Sequence, residues 1–255
     1  MCMSQSFFQN SSPKLTFVFG LVAGVAIASI VGFGGIIIYI SKNGSFAFNK
    51  SGNGAGDVVA QGNQQPSDSA GQQGPVNLAE VSKDDWVRGN KKADIALVEY
   101  SDYQCPFCES FHQTMQQVMK EYGTKVKWVL RHFPLDSIHP NARPAAIAAE
   151  CVGKQKGNDA FWKFTDAMFA NQSTLGKDLF VQEATKLGAN KARYVACLEK
   201  KETEKVVNDD YETGITAGVE GTPGNFVIVS GKDPIKLRGA EPFENMKQLL
   251  DSLLK

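Results

Sequence analysis

Two cysteines set two residues apart, where an apolar run gives way to a polar one, constrain this chain more than any other feature. The stretch Glu99-Tyr100-Ser101-Asp102-Tyr103-Gln104-Cys105-Pro106-Phe107-Cys108 follows Ile95, Ala96, Leu97 and Val98, which read as a strand. Beyond it, from Glu109 to Tyr122, the residues Phe111, Met115, Val118 and Met119 recur at helical spacing among polar neighbours. Pro106 suits the first helical turn, where its missing N–H is one of the helix's unpartnered donors anyway. Cys105 is therefore expected at a helix N-terminus. There the free backbone N–H groups and the macrodipole favour an anion, and thiol pKa values in such motifs fall to about 3.5 to 7.5. A thiolate is the form that attacks disulfides, and Cys108, one turn further in, is expected to be shielded and to close the ring.

A C-x-x-C pair also serves as half of a zinc site, and His112 lies within ligand spacing of Cys108. Zinc wants four ligands, however, and no second Cys or His pair stands at such spacing, so no metal is expected. A purely structural bond between Cys105 and Cys108 is the other reading; a ring that small is strained and easily reduced.

The apolar residues are unevenly placed along the 255 positions. From Leu15 to Ile40 run 26 residues without a charge, bracketed by Lys14 and Lys42. A secretory signal's apolar region spans about 7 to 15 residues and a bilayer about 20, so residues 15–41 read as a transmembrane anchor behind a cytoplasmic tail, 1–14. Gly20 and Gly24 make a possible helix-pairing face in it. Residues 42–76 are dominated by Gly, Asn, Gln and Ser, the composition of a flexible linker with a span on the order of 30 Å. Lysines flank the anchor on both sides, so the dithiol decides the orientation: it belongs in an oxidising compartment, with the C-terminal domain outside the cytoplasm, in the periplasm or at the cell exterior. Past residue 76 the chain carries 24 basic and 25 acidic residues, and no basic patch asks for nucleic acid.

The folded part is expected over 77–255. Val126, Trp128 and Leu130 alternate with Lys127, Val129 and Arg131 as a second strand, parallel to the first through a right-handed crossover. The helix between them is expected to end near Tyr122-Gly123 on a left-handed glycine cap. From about 139 to 219 nothing reads as a strand; segments 142–152, 160–169, 179–187 and 194–198 read as four or five helices, punctuated by Gly153, Gly157, Gly176, Gly188 and Gly218. Phe226 to Val229 and Ile235 to Arg238 then form an antiparallel hairpin, and Pro242 opens a last helix with one apolar stripe. His112 reads as a surface polar residue, His132 and His139 as capping or packing residues.

The run Gly89-Asn90, Asp94, EYSDYQCPFC, RHFPL, His139-Pro140, Phe161-Trp162 and Gly221-Thr222-Pro223 before a strand resembles the DsbA-like thiol:disulfide oxidoreductases of the thioredoxin superfamily, over roughly residues 80 to 255. The resemblance implies an α/β thioredoxin fold with an inserted helical domain and no cofactor. It implies that Pro223 is cis and lies against Cys105 and Cys108, that the backbone of Thr222 pairs with an extended substrate, and that Pro106 and Phe107 border the same groove. It also places Glu99 as a buried acid beneath the dithiol, serving the Cys108 proton. Gly224-Asn225 departs from the Thr or Ser and bulky apolar residue expected after that proline. Cys151 and Cys197 occupy contexts that resemble paired positions in some relatives; a structural disulfide and two free buried thiols both stay open, while Cys2 would lie on the reducing side. The function implied is the introduction of disulfides into exported polypeptides with free thiols, with reoxidation by a DsbB-like or VKOR-like membrane partner. A reductase or isomerase running the other way, and a redox-silent holdase, are the alternatives.

Overall fold

Strand β2 (Ile95–Ser101) is buried from end to end, so both faces of the sheet around it must be covered. In the computed structural model the described residues are 76–255. The expected tail, anchor and Cys2, and the linker up to residue 75, lie outside them. Among the described residues no helix is long and apolar enough to cross a membrane.

Five strands form one sheet in the order β1-β3-β2-β4-β5, with β1 at Trp86–Gly89, β3 at Val126–His132, β4 at Gly224–Val229 and β5 at Ile235–Lys236. Strands β2 and β3 are parallel, and the other three pairings are antiparallel. Helix α1 (Pro106–Tyr122) makes the crossover between the parallel pair and is capped by Gly123. That glycine has φ −61°, so the expected left-handed cap is not formed; the helix ends in a right-handed turn closed by the Gly123 N–H on the carbonyl of Met119.

The period-two alternation of β2 divides its side chains between two cores. Ile95 and Leu97 face a core shared with Phe111, Met115 and Val118 of α1 and with Met246 and Leu250 of the last helix. Val98 and Tyr100 face a second core with Phe133, Ala217, Val219 and Phe226. Between β3 and β4 come five helices: α2 (Ala142–Lys156), α3 (Asn158–Ala170), α4 (Lys177–Lys186), α5 (Lys191–Glu199) and α6 (Glu204–Thr216), with a 3-10 turn at Gln172–Thr174. The last helix, α7 (Phe243–Leu253), begins just after Pro242 as expected. A disulfide joins Cys151 of α2 to Cys197 of α5, with Cα atoms 6.1 Å apart.

Arg131 of β3 ties the incoming chain to the sheet. Its guanidinium donates to Asp85, to the carbonyls of Ala79 and Glu80, and to the Tyr100 hydroxyl, at 2.9 to 3.1 Å.

Candidate active site

The dithiol sits where β2 hands over to α1. Cys105 is the N-cap of that helix in extended conformation (φ −77°, ψ 122°), and Pro106 holds the first helical turn. Both thiols are free; Cys105 is 4% exposed and Cys108 fully buried, while Phe107 between them stands 66% exposed. The Cys105 thiol lies 3.3 Å from the carbonyl of Thr222, and the backbone N–H of Asp102 donates to Cys108 Sγ at 3.5 Å. The Thr222–Pro223 peptide bond is cis.

This setting separates the two acidities. Cys105 falls to about 5: hydrogen bonding from the Cys108 thiol is the largest cause, opposed by partial burial and helped by the Thr222 side chain and by the backbone N–H groups of Cys108 and Phe107. Cys108 moves the other way, raised by its burial and then by giving its proton toward Cys105. One sulfur is thus poised as a thiolate and its neighbour holds a proton.

Glu99 lies on the α1 face of β2 and is 1% exposed. Its carboxylate accepts from the Ser101 hydroxyl at 2.6 Å and from Trp128 Nε1 at 3.0 Å, and desolvation raises its pKa to about 7 despite those bonds. The charge on Glu99 in turn helps to raise Cys108. Across the antiparallel pairing Glu99 faces Asn225, the residue that departs from the expected pattern. Asn225 is buried, its Nδ2 donates to the Gly239 carbonyl at 2.7 Å, and its side-chain oxygen Oδ1 has no partner.

Two side chains that sequence reasoning passed over organise the turn. Asp102 is buried, and its Oδ1 accepts the backbone N–H groups of Gln104 (2.7 Å) and Cys105 (3.2 Å). Its Oδ2 accepts the N–H of Leu135 and bonds His139 Nδ1, both at 2.8 Å. An aspartate just ahead of a helix start is a signal for such a turn, and it was there to be found. Gln172 reaches in from the 3-10 turn of the insertion, and its Nε2 donates to the carbonyls of Tyr103 (3.0 Å) and Cys105 (2.9 Å). No local pattern announces that contact.

The histidines divide differently from expectation. His112 is buried rather than on the surface: Trp128 and Phe169 pack on its ring, and Asp166 of α3 bonds its Nε2 at 2.8 Å. Burial lowers its pKa, and its Nδ1 is buried without a hydrogen-bond partner. Among the described residues no group of three or more His, Cys, Asp or Glu side chains is placed to hold a metal ion. His132 bonds Glu150 of α2 at 3.0 Å, and that same carboxylate oxygen accepts from Trp86 Nε1 at 2.6 Å. These pairs knit the sheet to the insertion.

A family model described as Thioredoxin matches residues 81–252. Among solved structures, the chain is similar to DsbA2 of Pseudomonas aeruginosa (24% identity, TM-score 0.56, 68% of this chain and 97% of that one). It is also similar to alpha-DsbA1 of Wolbachia pipientis (22%, TM-score 0.60, 68% and 92%) and to oxidised BdbD of Bacillus subtilis (22%, TM-score 0.60, 71% and 98%). Among curated proteins, one named Na(+)/H(+) antiporter NhaA 3, from Salinispora tropica, is 33% identical over 143 residues, which is 56% of this chain and 21% of that protein. The Na(+)/H(+) antiporter NhaA of Herminiimonas arsenicoxydans is 28% identical over 168 residues, 66% of this chain and 25% of that one. The chain thus spans about a fifth to a quarter of the length of these curated relatives.

Proposed function

Because this chain belongs to the thioredoxin family and has the fold of the DsbA proteins, a thioredoxin fold with a helical insertion, we propose that it is a thiol:disulfide oxidoreductase that oxidises exported polypeptides. The observation that carries the reading is the split between the two thiols, Cys105 held near 5 and Cys108 raised. A stabilised thiolate favours the reduced form, and a dithiol that prefers to be reduced is an oxidant toward others.

The cycle starts from the Cys105–Cys108 disulfide. A client thiolate attacks Cys105 Sγ, forming a mixed disulfide and expelling Cys108 as a thiolate. Glu99 returns a proton to Cys108, since burial keeps that acid protonated up to about pH 7. A second client thiolate then attacks the client sulfur of the mixed disulfide, so the client leaves oxidised and Cys105 leaves as the thiolate. Two electrons now rest on the dithiol, and turnover requires an acceptor, for which a quinone-linked membrane protein of the DsbB-like or VKOR-like kind is the proposed partner. Thr222, next to the cis proline and against Cys105, supports a place for an extended client, bordered by exposed Phe107. The uncharged run over 15–40 supports a membrane anchor with the dithiol domain outside the cytoplasm. The antiporter name belongs to proteins four to five times the matched length, and no transport role is proposed.

Two measurements test this. The reduction potential should lie toward the oxidising end of known dithiols, about −120 mV; a value near about −270 mV would reject the oxidant in favour of a reductase. A Cys108→Ala protein should accumulate mixed disulfides with its clients in the cell. If instead a Cys105→Ser, Cys108→Ser protein keeps its cellular role, the holdase reading replaces the enzyme.

A further inference from the structure

Cys105 is gripped from two sides by two different parts of the molecule. On the thioredoxin side its N–H points at Asp102, 3.1 Å from the backbone carbonyl and 3.2 Å from Oδ1. On the other side its carbonyl receives Gln172 Nε2 at 2.9 Å, and the same nitrogen donates to the carbonyl of Tyr103 at 3.0 Å. A primary amide has two hydrogens on its nitrogen, and here both are committed to carbonyls of one turn. Gln172 itself belongs to the 3-10 turn joining α3 to α4, and that turn is followed by buried Leu175, part of the core that also takes in Phe164 of α3 and Phe180 of α4. The Cys105 carbonyl also accepts the N–H groups of Cys108 and Glu109 at 3.1 and 3.2 Å, so the peptide that Gln172 holds is the one that opens α1.

We propose that Gln172 is a positioning residue for the dithiol: its amide couples the seating of the helical insertion to the backbone of Cys105 and so keeps that sulfur over the first turn of α1. The proposal builds on the redox reading above. Fixing the Cys105 carbonyl fixes the torsion between it and the Cα, and with it the direction in which the side chain leaves. The N–H groups of Phe107 and Cys108 can stabilise the sulfur as an anion only while that direction is kept. Without Gln172 the Cys105 N–H still meets Asp102 and its carbonyl still accepts the N–H groups of Cys108 and Glu109, but the tie from the insertion to this peptide is gone and the turn shifts more easily.

The test is the pH profile of Cys105 alkylation by iodoacetamide on the reduced full-length protein, for the natural chain, Gln172→Met and Gln172→Ala. Methionine keeps the length and apolar stem and removes both donors. The midpoint, near pH 5 in the natural chain, should move up in both variants, so that alkylation at that pH slows about threefold, the effect of losing a hydrogen bond of ordinary strength. The reduction potential should turn less oxidising in step. Circular dichroism and a urea midpoint establish that each variant is folded, and Gln172 is only half-buried in an otherwise exposed turn, so little core is disturbed. An unmoved midpoint in both variants, or a rate that rises at every pH because the thiol is merely uncovered, would overturn the proposal. Alkylation needs no client. Failure of the natural protein to oxidise clients would therefore sink the proposed function and leave this test standing, whereas an unmoved midpoint would remove only the role of Gln172.

Discussion

Glu99 is buried against Ser101 and Trp128, two neutral donors, and that decides how it responds to pH. Its folded pKa of about 7 lies above the ordinary 4.5, so the folded state binds the proton more tightly than the unfolded chain. Below about pH 4.5 the group costs nothing; between about 4.5 and 7 the unfolded chain ionises first and stability falls, by on the order of 3 kcal/mol. Glu99→Gln should flatten that fall in the reduced protein, as read by urea midpoints across the range. Asp102 is a buried carboxylate whose two oxygens accept the N–H groups of Gln104, Cys105 and Leu135 and bond the His139 ring. Asp102→Ala takes away the side-chain acceptor of the Gln104 and Leu135 N–H groups and of the His139 ring, and should destabilise by on the order of 3 kcal/mol in chemical denaturation. What the sequence revealed at this scale was local. The positions of Cys105, Cys108 and Pro223 follow from short motifs. The grip of Gln172 on Cys105 spans 67 residues and leaves no local trace. His112 misled because it sits on a helix that looks polar; only Asp166, 54 residues away, makes its burial tolerable.

Elements were legible where their period was clean. Strands β2 and β3, helix α1, the hairpin and α7 all stand within a few residues of their expected bounds. The strand β1 was missed because it is four residues long and its Arg88 looks out of place there; in the fold its guanidinium lies over the rings of Trp128 and Trp162 and bonds Asp166. Helix α2 was expected to stop at Val152 and instead runs through Gly153 to Lys156. The glycine there serves packing, since a Cβ on it would lie 2.4 Å from the Trp86 ring. The same holds for Gly214 of α6, where a Cβ would meet the Phe133 ring at 2.6 Å and the Tyr100 ring at 2.9 Å. An alanine there gains about 1 kcal/mol of helix propensity, but the displaced rings sit in a closed core. Gly214→Ala should therefore come out destabilising, by about 1 to 2 kcal/mol net in the urea midpoint.

At the scale of the molecule, the sheet and α1 meet the insertion through paired polar groups as well as apolar surface: His112 of α1 with Asp166, His132 of β3 with Glu150, and the His132 N–H with Asp210 at 2.9 Å. That boundary could not be read from a sequence, because every pair in it joins distant positions. The insertion has its own brace in the disulfide between Cys151 and Cys197, 46 residues apart. Replacing both by serine should cost up to about 4 kcal/mol in thermal unfolding while leaving the pH profile of Cys105 alkylation in place, because neither sulfur touches the dithiol turn. The grip of Arg131 on the incoming chain has a mechanical meaning. All five of its N–H donors are engaged by the segment 79–85 and Tyr100, so traction on the domain from upstream is borne by a bolt set in a central strand. A leash pulled from that side would strain the mooring first and reach the reactive sulfurs last.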